Sequence, residues 1–271
     1  MRKSFTINCN RTKEDFKGYK ELIENNIYQG VEIFFPYNVN EEQRDLYTDK
    51  LNELRQLFPK LEFVMHLPHG PKNSLTSQNE EVVERMIDAI RYSANYGIKK
   101  LTLHLGFVDK NIEREKYLEN NSWLIKNLVM IVNEAKKYEM NVMIENMPSD
   151  VEFGFSPQEI LDLITIIDNK TNSNNMKFII DTGHANVSKY SLKDYISLLG
   201  KYLYHIHYND NCGSSDEHKR MGLGNVDFYE FMELLKEINY RELHCMEVIF
   251  KDYKELISFA SDLDKYNKVD L

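Results

Sequence analysis

Short apolar runs alternate with longer amphipathic ones along this chain, eight times over. The apolar runs are KSFTINC (3–9), GVEIFF (30–35), LEFVMH (61–66), KLTLHL (100–105), MNVMIE (140–145), MKFIID (176–181), YLYHIHY (202–208) and LHCMEVI (243–249). Most are rich in Ile, Val, Leu and Phe, the composition of strands buried on both faces. The segments between them predict helices over 12–26, 41–57, 77–97, 113–139, 156–169, 191–200, 227–238 and 252–266. Several carry start signals: Thr12 precedes an acidic pair, Ser156-Pro157 reads as a cap followed by proline at the first helical position, and Ser191 caps LKDYISLL. Val82, Met86, Ile87 and Ile90 fall on one helical stripe.

Eight strand–helix units in 271 residues predict an α/β chain folded as a single (β/α)8 TIM barrel over residues 1–271. The rival is a doubly wound sheet. It lacks its glycine-rich loop here, because Asn8-Cys9-Asn10-Arg11 follows the first strand. With 42% apolar residues the chain can build a sizeable core. No apolar run nears the ~18 residues of a membrane span, and the charged N-terminus does not read as a signal peptide. Cys9, Cys212 and Cys245 are scattered and form no CxxC pair, which predicts a reducing, cytoplasmic setting. A net charge of −9 offers no global attraction for nucleic acid.

Ligand-type residues cluster at the strand ends. His66 ends the third strand, His104 lies near the end of the fourth, and Glu145 ends the fifth. Asp181 ends the sixth, with His184 just beyond it. His207 lies near the end of the seventh, with Asp216 and His218 in the following loop, and Glu247 lies near the end of the eighth. A closed barrel brings all these ends to one face, where barrel active sites lie. Four carboxylates gathered there repel one another unless protons or cations intervene. Mixed His/Asp/Glu ligation suits a divalent ion such as Zn²⁺ or Mn²⁺. Taken singly, each residue has a plainer reading: a strand-end histidine is often packed, and Asp181 before Thr-Gly is a natural cap. Glu145 and Glu247 end apolar strands and are harder to explain that way. His205 lies one layer deeper than His207 and reads as core, while Asp210 and Asn211 read as turn residues.

HLPH (66–69), TLHLG (102–106), IENMP (144–148), IDTGHA (180–185), HYND with DEH and MGLG (207–224), and MEV (246–248) resemble the xylose isomerase-like barrels over nearly the whole chain. That superfamily includes sugar isomerases, epimerases and endonuclease IV. Resemblance to the isomerase branch implies one divalent metal on Glu145, Asp181, His207 and Glu247. Glu145 and Glu247 would then move protons beside a carbonyl, and His184 would orient a hydroxyl or stabilise an oxyanion. Glu32 matches a Val-Glu-Ile segment of that branch. His69, Lys219 and Arg220 are further candidates to contact substrate, the last two through a phosphate. The arginine that ketose 3-epimerases carry after the seventh-strand histidine is missing, with Gly213 and Ser214 in that region.

Resemblance to endonuclease IV implies three zinc ions on all nine ligands, His66, His104, His184, Asp216 and His218 completing the set. Here the chain departs in having His66-Leu-Pro-His-Gly in place of a His-x-Ser-Tyr-Leu run, Gly183 in place of a cysteine, and a shorter loop before Asp216. The expected function is a divalent-metal-dependent isomerase or epimerase of a sugar, sugar phosphate or polyol. The alternative is a zinc phosphoester hydrolase with a two- or three-metal centre. A third reading is a catalytically silent ligand-binding barrel. The expected partner is a small carbohydrate, with DNA only under the alternative and no membrane under any reading.

Overall fold

A computed structural model describes residues 1–267. Eight parallel strands, β1 (Arg2–Ile7), β2 (Gly30–Phe34), β3 (Glu62–His66), β4 (Lys100–Leu103), β5 (Asn141–Glu145), β6 (Met176–Asp181), β7 (Leu203–Tyr208) and β8 (Leu243–Met246), pair in chain order. They close into a barrel where β8 meets β1. Around them lie α1 (Lys13–Glu24), α2 (Glu41–Leu57), α3 (Glu80–Ala94), α4 (Trp123–Lys136), α5 (Pro157–Thr171), α6 (Thr182–Val187), α7 (Leu192–Leu199), α8 (Phe228–Glu237) and α9 (Glu255–Asn267). No helix among the described residues is long and apolar enough to cross a membrane.

Strand alternation sorts the core into two parts. Val31, Ile33, Phe63, Met65, Leu101, Leu103, Val142, Ile144, Phe178, Ile180 and Ile206 face outward and join the main core with the helices. Their neighbours face inward. Val64, Met143, Ile179 and Leu243 form a separate small cluster inside the barrel. Two residues further along three of those strands stand His66, Glu145 and Asp181. Each fully buried Ile, Leu or Phe contributes roughly 1.5–3 kcal/mol, so a one-residue slip of any strand is strongly disfavoured. The packing that fixes the register therefore also fixes which side chains reach the mouth.

Several helices start later than the sequence pattern predicts. The pattern over 113–139 breaks into a short 3-10 turn and then α4, because Ser122 accepts from the Ile125 N–H and caps a new helix. Asn79 starts α3 by capping Glu81. Thr12 and Ser191 form capping boxes with Asp15 and Asp194 as their sequences suggest, whereas Ser156 makes no side-chain cap. The segment α6 was not anticipated. Its cap is Asp181, whose Oδ1 accepts from the His184 N–H at 2.6 Å.

Candidate metal centre

The strand ends bring their His, Asp and Glu side chains into linked groups. In each group the ligand atoms lie within 4.8 Å of one another. One group is Glu145, Asp181, His207 and Glu247; a second is His66, His104 and Glu145; a third is His184, Asp216 and His218. Glu145 belongs to two of them. Its Oε2 is 3.0 Å from His104 Nε2 and its Oε1 is 3.1 Å from His207 Nδ1. A cavity of about 360 Å³ opens over these groups, walled also by Phe34, Met147 and Pro148.

Hydrogen bonds behind the ligands fix the imidazole tautomers. A carbonyl oxygen only accepts, so a ring nitrogen facing one must carry its proton. His66 Nδ1 faces Leu67 O, His184 Nδ1 faces Asn146 O, and His218 Nδ1 faces Glu247 O, at 2.9, 2.8 and 2.9 Å. Each Nε2 is thereby turned toward a carboxylate: Glu145 for His66, and Asp216 for His184 and His218. His207 is held the other way round. Its Nε2 meets the buried Glu32 at 2.7 Å, leaving Nδ1 between Glu145 at 3.1 Å and Glu247 at 2.9 Å. Lone pairs of imidazole and carboxylate thus converge, and only a proton or a metal ion satisfies both. Such backing groups are what orient metal-ligating histidines.

Electrostatics agree with that geometry. Burial alone would strip His207 of its proton, yet Glu247, Glu32 and Glu145 raise its pKa well above the ordinary value. His184 is also raised despite burial, by Asp181 and Asp216. His218, opposed by burial, is pushed up to about 10 by Asp216 and Glu247. Burial pushes Asp181 up to about 6, against the pull of His184 and His218. Glu145 stays well below the usual carboxylate range, because His207 and His104 outweigh its burial. Among the described residues no Lys or Arg forms an ion pair with Glu145, Asp181, Asp216 or Glu247. Without a metal, protons on His207, His184 and His218 offset part of that charge, on side chains that would ligate an ion. The donor set therefore fits a divalent cation.

The loop after β7 carries Asp216 and His218, and Asp210 organises it. Fully buried, its carboxylate accepts from the backbone N–H groups of Asn211, Gly222, Gly224 and Val226 at 2.8–3.1 Å. A Cβ on Gly224 would come within 2.1 Å of Asn211 O, so glycine is required there. Asn209 donates to Asp181 Oδ2 at 2.6 Å, and Asn146 exchanges hydrogen bonds with the Asp181 backbone. Asn209 Oδ1 approaches Gly183 so closely that a Cβ there would lie 1.7 Å away. These positioning residues were missed, or read as plain turn residues, because Asn and Asp are expected in any turn. Their signal was adjacency to a ligand, in Glu145-Asn146 and His207-Tyr-Asn-Asp.

Residues 22–263 match the Xylose isomerase-like TIM barrel family. This chain belongs to that family. An uncharacterized protein of Methanocaldococcus jannaschii is 30% identical over 77% of this chain and 75% of its own length. A probable endonuclease 4 of Ureaplasma parvum is 26% identical over 72% of this chain and 69% of its own. The crystal structure of a D-tagatose 3-epimerase-like protein superposes with a TM-score of 0.77 and 26% identity, over 98% of this chain and 97% of that one.

In this xylose isomerase-like barrel the remaining candidates separate. His69 lines the cavity, and its backbone oxygen is held by Tyr37 and Asn73. Burial, with His66 and His104 beside it, lowers the His69 pKa to about 3. Glu32, expected as a substrate contact, lies instead beneath the site at 0% exposure, bonded to Thr102, His205 and His207. Its strand position faces inward one layer below the mouth, so it backs His207, and His205 sits beside it. Lys219 and Arg220, expected to meet a phosphate, also point elsewhere. Lys219 pairs with Glu217 at 2.8 Å, and Arg220 grips Asp262 of α9. Neither lines the cavity. Lys219 thus stays within its own loop, and Arg220 reaches the outer helical wall.

Proposed function

We propose that this chain is a divalent-metal-dependent isomerase or epimerase acting on a sugar, sugar phosphate or related polyol. The observation that carries the reading is the placement of Glu145 and Glu247. They flank the same His207 Nδ1 within one four-residue ligand group, and both line the cavity. Glu145, Asp181, His207 and Glu247 would hold the ion. A bound divalent ion supplies Lewis acidity that makes a proton beside a substrate carbonyl easier to remove. Glu247 or Glu145 takes that proton on a carboxylate oxygen and returns it to the same or the opposite face. His184, its Nδ1–H committed to Asn146 O, lines the cavity with Nε2 held 3.2 Å from Asp216, from which it can be drawn to a substrate oxygen. Phe34, Met147 and Pro148 limit water around the reacting carbon. Likeness to a D-tagatose 3-epimerase-like protein supports this reading.

A second reading, a zinc-dependent phosphoester hydrolase with two or three ions, is favoured by one specific observation. The His66–His104–Glu145 and His184–Asp216–His218 groups each gather three ligand-type side chains, the first sharing Glu145 with the four-residue group. Incubating the metal-loaded protein with ketohexoses and their phosphates in D₂O separates the two. The first reading expects deuterium to enter beside the carbonyl, followed by NMR, and expects Glu247→Gln to slow entry about 10²–10⁴-fold. No deuterium entry, together with cleavage of a duplex containing an abasic site at catalytic enzyme concentration, would replace it with the second.

A further inference from the structure

A second cavity, about 620 Å³, lies beside the metal cavity on the same barrel face. Both volumes fall in the ~300–1,000 Å³ range of ligand sites. Its walls come from the segments after β3 and β4 and from the start of α4: Ser74, Thr76, Gln78, Phe107, Tyr117 and Trp123. The two linings are linked through the backbone. Gly70 lines the metal cavity and Pro71 lines its neighbour. Glu152 lines the metal cavity, and its backbone bridge partner Phe107 lines the other. The lining mixes aromatic faces with hydroxyl and amide groups and the charged Asp109 and Lys116. Trp123 is the only tryptophan in the chain and remains 38% exposed. A broad aromatic surface beside short polar side chains is suited to a sugar ring, which has C–H faces and a hydroxyl edge.

We propose that this cavity is a second sugar subsite, so that the substrate is a glycoside whose reacting unit sits at the metal and whose other ring sits against Trp123. The proposal names the substrate class of the function proposed above and rests on it. Ser74 and Thr76 are already tied to each other and to the Phe107 backbone, which holds that wall in place before a ligand arrives. Gln78 stands at the rim, exposed, with its amide available to a ring hydroxyl.

The lone tryptophan gives a direct readout that needs no turnover. The metal-loaded protein and the chelated protein are titrated with lactulose, with palatinose and with D-fructose, following Trp123 emission and, in parallel, calorimetry. The expected result is a saturable emission change with at least one disaccharide, absent with D-fructose, and an affinity about tenfold or more above that for D-fructose. Trp123→Ala, checked for intact folding by thermal unfolding, brings the disaccharide affinity down to that of D-fructose, and Trp123→Phe restores part of it. Equal affinity for both sugar sizes, or disaccharide binding that leaves Trp123 emission unchanged, overturns the subsite while leaving the isomerase reading intact. Disaccharide binding at Trp123 without any deuterium exchange keeps the subsite and removes the isomerase reading. Failure of all three sugars to bind overturns the subsite.

Discussion

The two ends of the barrel solve the same problem in different ways. At the N-terminal end, the carboxylates of Glu62 and Glu242 are neutralised by the chain itself. Lys100 Nζ lies 2.8 Å from Glu62 and 2.7 Å from Glu242, and Arg2 adds a second cation to Glu62. At the C-terminal end, Glu145, Asp181, Asp216 and Glu247 meet only imidazoles and backbone or amide donors. Covalently attached cations settle the charge when the chain folds. Imidazoles settle it only while they are protonated, and under the proposed metal reading they would give up those protons to an ion. One end is built to be finished; the other is built to accept a cation.

Metal removal tests that difference most strongly. An ion at about 100–1,000 times its Kd stabilises the fold by about 3–4 kcal/mol, so chelation should lower the unfolding temperature clearly. The pH trend of the chelated protein should then reverse. His218, raised to about 10 in the fold, contributes stability that is fully present below its unfolded pKa near 6.5. That stability is lost as pH rises toward 10, whereas the metal-loaded protein gains from deprotonated ligands over the same range. Denaturant melts of both forms from pH 6 to 9 check this. If the two forms follow the same trend, the imidazoles are not exchanging protons for metal.

Lys100→Met should cost less, about 2–3 kcal/mol. Lys100 is buried, but Glu62 and Glu242 are partly exposed and can rehydrate, which trims the cost of breaking a buried pair. The loss should be the same with and without chelator. A loss that depends on metal would mean the two ends are coupled and the contrast is false.

The smallest effect belongs to His244, which hydrogen-bonds Tyr208 near the N-terminal end. Burial, with the chain's amino terminus, His205 and Lys3 nearby, lowers its pKa to about 3. The unfolded chain, with a value near 6.5, takes up the proton first, so stability falls as pH drops below about 6.5. The loss reaches about 2 kcal/mol by pH 5. His244→Gln keeps a polar partner for Tyr208 and should flatten that fall. Urea melts at pH 7 and pH 5 measure it; an unchanged slope would show that His244 is not the titrating group.

Much of the barrel was legible because apolar runs separated by amphipathic ones admit few folds of this length. The clustering of the candidate ligands was legible for a related reason: charged residues at the ends of apolar strands have nowhere else to go. Less visible was the depth of each layer. Glu32 and His207 both face the barrel interior, yet one layer separates a ligand from the residue that backs it, and residue type does not reveal that. Lys219 and Arg220 were candidates to meet a phosphate, with solvated loop cations as the plainer reading. Only the path of the loop, set by the buried Asp210 and its glycine partners, shows Arg220 turned toward Asp262. The short α6 was hidden although Asp181 was legible as a cap, because the six residues that follow, TGHANV, are too few to show a helical stripe.

Elemental analysis of the protein purified without chelator, beside Glu247→Gln, tests the central claim most directly. At least one divalent ion per chain is expected in the native protein, with content falling sharply in the variant while its fold persists. About one ion favours the isomerase reading and close to three favours the hydrolase. Native protein with no bound divalent metal, even after incubation with Zn²⁺ or Mn²⁺, or a variant that retains full metal content, would contradict it.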